Sequence, residues 1–481
     1  RQRPLQATLA WSHALLDAGE QAVLRRLGLF VGGFTLELAQ QVAADDHLDA
    51  WAVLEALSGL VDKSLVAVDA DDPPRYRLLE TTRAFAVDRL VEAAEAAITA
   101  SRHAAALRDL FLAMDNQRFD DTGAPDSEAM QARLAPEVGN VRAALAWALG
   151  PGGDRGIALG LATGSANLFM TIGQTLEALP WLLALQPADG EALPPALLSD
   201  FWRRLALLGG YGGLPHRQRR EAAERAVAWA RRAGGRRRLL ASLSQWGHVL
   251  LTEDRDAELQ DLLEEMRQLE RPGDPAFLLS GRLGLLAGWL NEQQRFDESV
   301  AVQQQQQRLL SQARGEHVAM MISRANLTWT LNVIGRHDEA AAMALQLLAD
   351  PRLPRGLNVV GFDAIHALAA LGRLDEALAT ARRLSPQWHL SPLALHGEPA
   401  LARLASALGR LADALRIQGA CAAFRQARGL PADALTVREE ARLAQACSEA
   451  GIDAAQQRRL VDEGAVLDPE ACVALVLGDA R

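Results

Sequence analysis

Gly335-Arg-His-Asp-Glu-Ala340, Gly372-Arg-Leu-Asp-Glu-Ala377 and Gly409-Arg-Leu-Ala-Asp-Ala414 stand 37 residues apart, glycine to glycine, in both intervals. Self-similarity at a fixed period marks one supersecondary unit stacked on copies of itself. The same phase carried backward gives weaker copies starting at Gln294, Asp254, Arg217 and Gly173, seven units in all at spacings of 37 to 44. Five places after each start stand Ala178, Ala222, Leu259, Ser299, Ala340, Ala377 and Ala414, and six of these seven are small. Seven places before each start stand Ala166, Gly210, Gly247, Ala287, Thr328, Ile365 and Ala402, again mostly small. Small side chains at both points are what the close approach of a second helix to a first demands, so the repeat predicts stacked helical hairpins. From Thr82 onward the apolar spacing is helical, broken by Gly, Pro and Asp, with no strand pattern.

This pattern resembles tetratricopeptide repeats, with longer turns expected because the spacing exceeds the usual period of about 34. Six places before each start stand Asn167, Tyr211, His248, Gly288 followed by Trp289, Trp329, His366 and Arg403. In such a solenoid this column is expected to line the concave face, where a ladder of polar and aromatic side chains could hold a peptide or small ligand. Arg282 and Arg324, earlier in their helices, would add anion-binding forks. The other reading of the column is that each residue satisfies a neighbouring carbonyl or packs between helices.

The first eighty residues read differently. Helical spacing runs from Leu5 to Leu16 and from Gln21 to Phe30, around the capping sequence Asp17-Ala-Gly-Glu20. Thr35 caps a third helix through about Ala44, and Ala50 to Ser64 forms a fourth. Leu65-Val-Ala-Val68 and Arg75-Tyr-Arg-Leu78 flank a turn-rich connector, which predicts a hairpin. Helices followed by a two-stranded wing make a winged helix. Its charge opposes DNA binding: residues 1–81 carry seven basic and twelve acidic groups, and Glu55 and Asp62 stand with Lys63 on the helix that would enter the groove. The default role is packing.

Composition bounds the rest. The chain has 481 residues, 49% hydrophobic and 23% charged, with 50 basic against 60 acidic side chains. That composition excludes a disordered chain, and a net charge of −10 disfavours a dedicated nucleic-acid binder. The only lysine, Lys63, follows Asp62 rather than glycine, so no phosphate-binding P-loop is encoded, and no other catalytic motif is found. The segment is read as non-enzymatic. Cys421, Cys447 and Cys472 fit buried fillers in a reducing cytoplasm. The uncharged stretch from Gly156 to Leu176 is too polar for a lipid-facing span. No secretory signal follows Arg1-Gln-Arg-Pro4, and the start in mid-helix looks like a cut inside a longer protein.

Three further features carry bland readings. Residues 215–238 hold nine arginines and two glutamates, and residues 253–270 hold eight acidic and two basic groups, so adjacent hairpins are expected to compensate each other. Gln303 to Gln307 is expected to be a solvated helix face. Gly209-Gly-Tyr-Gly-Gly213 fits a loosened helix end, and the histidines show no metal-binding spacing.

Three stretches resemble the STAND-type signal-transduction ATPases among bacterial transcriptional regulators. They are Arg3-Pro-Leu-Gln-Ala-Thr-Leu-Ala-Trp11-Ser12 with Leu27-Gly-Leu-Phe-Val-Gly-Gly-Phe34; Leu60-Val-Asp-Lys-Ser-Leu65 with Tyr76-Arg-Leu-Leu-Glu-Thr81; and Glu137-Val-Gly-Asn-Val-Arg-Ala-Ala-Leu145 with Trp147. The resemblance implies a winged helix over 1–81, connecting helices over 82–150, a tetratricopeptide-like superhelix over 151–430 and C-terminal capping helices over 431–481. It further implies that an NB-ARC-like ATPase, which would bind ATP, and a DNA-binding domain lie upstream of Arg1. The segment itself would take no cofactor. It would hold that ATPase closed and receive an unknown small-molecule or protein signal in its concave face. The alternative is a constitutive interaction scaffold without switching.

Overall fold

The computed structural model describes residues 2–69, 73–119, 127–172, 174–188, 190–211, 214–253, 255–313, 316–353, 357, 359–388, 398–428 and 432–478. The chain divides into two units, one of Arg1–Asp120, Glu128–Leu168 and Ala184–Gln186, the other of Asp121–Ser127, Phe169–Leu183 and Pro187–Arg481.

The first unit contains α1 (Gln2–Ala14), α2 (Ala18–Leu27), β1 (Gly33–Phe34), α3 (Leu36–Ala43), α4 (Ala50–Asp62), β2 (Ala67–Asp69), β3 (Arg75–Arg77), α5 (Glu80–Glu92), α6 (Ala96–Gln117), α7 (Ser127–Leu134), α8 (Val138–Ala148) and most of α9 (Arg155–Thr171). Asp17 starts α2 with a reciprocal capping box to Glu20, and Thr35 caps α3, as their sequence positions predict. The wing has a strand that alternation did not show. β1 pairs with β3, Phe34 opposite Tyr76, and β3 pairs with β2, Val68 opposite Tyr76, giving the antiparallel order β1-β3-β2. A two-residue strand has no periodicity to read. Leu65 and Val66, expected in the hairpin, instead fold back on α4, both donating to the Leu60 carbonyl, while Ser64 takes a φ of 58°.

The Glu137-Val-Gly-Asn140 motif has a structural role in this unit. Asn140 is fully buried; its Oδ1 accepts from the Val31 amide at 2.6 Å and its Nδ2 donates to the Gly33 carbonyl at 2.9 Å. Glu137 accepts from Asn140 at 2.6 Å and from Arg75 on β3 at 2.7 Å. A Cβ on Gly139 would stand 3.0 Å from the Val31 carbonyl, so glycine permits the approach. The motif therefore ties α8 to the wing.

The second unit is helical throughout its described residues. It runs α10 (Thr175–Ala184), α11 (Pro195–Tyr211), α12 (His216–Ala233), α13 (Arg236–Leu250), α14 (Asp256–Leu269), α15 (Ala276–Glu292), α16 (Phe296–Ser311), α17 (His317–Val333), α18 (His337–Ala349), α19 (Val360–Ala370), α20 (Leu374–Trp388), α21 (Glu398–Ala407), α22 (Leu411–Arg428), α23 (Ala434–Glu449), α24 (Ala454–Gly464) and α25 (Pro469–Leu477). The helices from α11 to α22 pack as consecutive hairpins, and the whole chain is a winged helix followed by an α-solenoid.

The repeat motif now has a physical account. Gly335, Gly372 and Gly409 take φ of 83°, 73° and 77° and close the first helix of their hairpins. In each case the next amide donates back around the turn, Arg336 to Leu331, Arg373 to Leu368 and Arg410 to Ala405, which satisfies a terminal carbonyl. The arginine then pairs with the acidic residue three places on: Arg336 with Glu339 at 2.6 Å, Arg373 with Glu376 at 2.7 Å and Arg410 with Asp413 at 3.0 Å. Ala340, Ala377 and Ala414 are fully buried at the helix contact. Gly173 and Asp254, the starts of weaker copies, lie outside the described residues.

Charge between hairpins is partly compensated as expected, through Arg231 with Glu265 at 2.9 Å and Arg220 with Glu253 at 3.7 Å. The glutamine run is a correction. Gln303 and Gln306 turn inward, Gln303 donating to Thr330 at 3.1 Å and Gln306 to the Ser280 carbonyl at 2.8 Å while accepting from Ser323 at 2.7 Å. A buried polar side chain that is hydrogen-bonded costs little, so composition misjudged this face. All three cysteines are buried. No helix among the described residues is long and apolar enough to cross a membrane.

Candidate functional site

The residue column of the last hairpins is partly covered by another helix. Helix α23, started by Asp433, whose carboxylate accepts from the Thr436 amide at 2.7 Å, lies across α17 and α21. Its amphipathic spacing puts Leu435, Arg438, Glu439 and Arg442 toward them. Leu435 packs with Phe296 and Val333, and half-buried Trp329 joins that cluster. Arg438 donates to the Val333 carbonyl, and its guanidinium stands 5.2 Å from the centre of the Phe296 ring.

One turn further along, Glu439 gathers basic side chains from three helices. His366 Nε2 lies 3.2 Å from its Oε1, Arg403 Nη1 is also 3.2 Å from Oε1, and Arg442 Nε donates to Oε2 at 2.7 Å. His366 is 1% exposed and Arg403 mostly covered. His337 stands beside this group, its ring 5.5 Å from that of His366. Burial alone would push the Glu439 carboxyl up, but His366, Arg442 and Arg403 outweigh it and bring it down to about 2. The Arg403 guanidinium is pulled below its ordinary value by burial, which Glu439 only partly offsets. His337 is pushed down by burial, with His366 and Arg403 adding to the effect.

Trp329, His366 and Arg403 are thus brought together beneath α23. The other column residues are not part of that group. Asn167 belongs to the first unit. The side chain of Tyr211 lies outside the described residues. His248 is exposed, with Nδ1 at 2.7 Å from the Ser244 carbonyl of its own helix. Trp289 lies under the Arg295 guanidinium, 5.7 Å from its centre. Of the expected forks, Arg282 pairs with Glu270 at 2.8 Å and Arg324 with Gln346. Each has a neighbour outside its own helix, a pairing that no spacing along one helix reveals. Glu439, Arg438 and Leu435 were missed for the same reason. Their segment follows the last repeat copy, and sequence carries no sign that it folds back over the column.

On the winged helix, the outward face of α4 presents Trp51, Glu55, Ser58 and Asp62, with Trp51 Nε1 donating to Glu55 at 3.1 Å. This face carries no arginine.

Residues 16–91 match the winged helix-turn-helix domain family. The chain is 41% identical over 182 residues to the proteins provisionally named HTH-type transcriptional regulator Rv0890c of Mycobacterium tuberculosis and Mb0914c of Mycobacterium bovis, covering 38% of this chain and 20% of each relative. It is 40% identical over 104 residues to the uncharacterized protein Rv0894 of Mycobacterium tuberculosis, covering 21% of this chain and 26% of the relative. The chain therefore spans about a fifth to a quarter of the length of these relatives. Among solved structures, it is similar to a Signal Transduction ATPase with Numerous Domains with a tetratricopeptide repeat sensor, PH0952 from Pyrococcus horikoshii. The TM-score is 0.43 at 10% identity, covering 93% of this chain and 62% of that one.

Proposed function

We propose that this chain is the regulatory half of an ATP-dependent bacterial transcriptional regulator of the STAND type, working in the cytoplasm. In this reading the ATPase, with its ATP, and the DNA-reading domain belong to other parts of the full-length protein. The winged helix packs against the ATPase, and the solenoid receives a small-molecule or protein signal on its inner face. The observation that carries the reading is the seating of α23 on Trp329, His366 and Arg403, through Leu435 and Glu439. It gives the inner row a closed state with an identifiable latch. A signal that prefers the row without α23 shifts the balance between two states, and reversing a 1:99 population takes about 5.5 kcal/mol of differential affinity. The kinship of the front domain to HTH-type regulators supports the transcriptional setting, and the acidic face of α4 supports packing rather than groove reading.

The test is ATP hydrolysis and DNA binding by the full-length protein carrying His366→Ala with Arg403→Ala. Raised activity without signal, or loss of the response to it, is the expected result. An unchanged basal level together with an unchanged response removes the switching role and leaves a fixed scaffold surface. No change in the copurifying partners would then be expected either.

A further inference from the structure

The α23 latch leaves a cleft between α21, α22 and α23 that is partly open to solvent. Its charged wall is made by Arg403, Arg425 and Arg442 against Glu439 and Glu440, so cations outnumber anions. Glu440 is held by Arg425 at 2.9 Å. Glu439 alone serves both Arg403 and Arg442 as well as His366. Arg403 donates only through Nη1, at 3.2 and 3.3 Å, and Arg442 binds Glu439 through Nε and reaches Ser406 at 3.5 Å through Nη1. The remaining N–H groups of these two guanidiniums have no partner among the described residues. Burial pulls Arg403 down, and the nearby Arg442 adds to the effect while Glu439 opposes it. The cleft has a second unmet demand of opposite sense. Gln418 lines it, and its buried Oε1 accepts no hydrogen bond from any described residue. Leaving a buried acceptor without a partner is unfavourable, and a donor on a ligand would recover that cost.

We propose that this cleft binds a small hydroxycarboxylic acid, its carboxylate on the free N–H groups of Arg403 and Arg442 and its hydroxyl donating to Gln418 Oε1. The proposal rests on the reading of the inner row as a ligand surface and names the ligand class. Planar guanidiniums suit carboxylate oxygens.

The probes are malate and succinate, which differ by the hydroxyl alone, titrated calorimetrically into the 481-residue chain. Malate is expected to bind about tenfold more tightly than succinate, the size of one recovered hydrogen bond. Gln418→Leu, read beside Gln418→Met to separate lost folding from lost recognition, should bring the two acids within about twofold. Arg442→Gln should weaken both. Absence of binding by either acid overturns the site, as does equal binding that ignores Gln418→Leu. Neither result touches the His366 and Arg403 test in the full-length protein. Conversely, malate binding to a chain whose full-length parent gives no response supports the site and removes only the sensor role.

Discussion

His366 Nε2 stands 3.2 Å from Glu439 Oε1, joining the first helix of one hairpin to a helix that lies beyond the last repeat copy. The pair makes a contact between distant parts of the chain that neighbour-to-neighbour stacking of hairpins would not make. Glu439 is also the carboxylate of Arg403 and Arg442, so removing it strands the covered Arg403 guanidinium, and such losses run to about 3–5 kcal/mol. The latch is therefore strong when intact and sensitive to a single substitution or to a competing anion.

The acid stability of the second unit should report that pair. The Glu439 carboxyl, 4.5 ordinarily, is held at about 2 in the folded chain. A depressed value means its stabilisation is complete above the unfolded value and disappears as pH falls through that window toward the folded one. Glu439→Gln should lower stability by about 3 kcal/mol at pH 7 and flatten the pH dependence between 4.5 and 2. Thermal unfolding followed by circular dichroism across that range checks it. An equally steep acid transition in the variant would place the titrating groups elsewhere.

The first unit should lose stability at a higher pH. His103 is buried with its ring 4.8 Å from that of Phe30, and burial, only partly opposed by Asn140, lowers it from 6.5 to about 4. The unfolded chain thus takes up a proton below 6.5 that the folded unit refuses, so stability declines as pH falls from 6.5 to about 4. The loss amounts to about 3 kcal/mol. His103→Phe should remove this slope. Hydrogen exchange at amides of α6 across the same pH range reads the unit separately from the solenoid.

Turn chemistry offers a test by exchange of residues. Gln294 occupies the position of Gly335, Gly372 and Gly409 with a φ of 56°, a left-handed conformation that costs a side-chain-bearing residue about 1 kcal/mol. Gln294→Gly should therefore raise stability by about that much. Gly372→Ala should lower it by about 1–2 kcal/mol, and the loss would be purely conformational, since no atom lies within 4 Å of the added Cβ. Urea midpoints moving the same way for both substitutions would contradict the turn assignment.

These positions also show what sequence conveys and what it withholds. The repeat glycines, the small residues at helix contacts, Asp17 and Thr35 were legible because each acts within one turn or at a fixed period. Gln294 hid its role because glutamine carries no conformational signature. The pairings of Arg282 with Glu270 and of His366 with Glu439 were illegible, since contacts between residues far apart in the chain are set by packing that spacing does not encode. Gln303 and Gln306 misled for a related reason: polarity indicates a need for partners, which a protein interior can supply as well as water.

Charge on α4 leads to the remaining prediction. A winged helix that reads DNA presents basic and hydrogen-bonding groups to phosphates and base edges, and its affinity falls steeply with salt as counterions return. The outward residues here include Trp51, Glu55 and Asp62, so approach to a duplex is repelled by carboxylates and gains no phosphate contact from that face. The 481-residue chain should show no salt-dependent binding to random duplex DNA in a fluorescence anisotropy titration. Glu55→Arg with Asp62→Arg should create weak, sequence-independent binding with a salt slope that grows by about one unit for each phosphate newly contacted. Tight, salt-sensitive binding by the unaltered chain would overturn the packing role, because the repulsive face would then have to lie away from the DNA and another surface of the domain carry the contact.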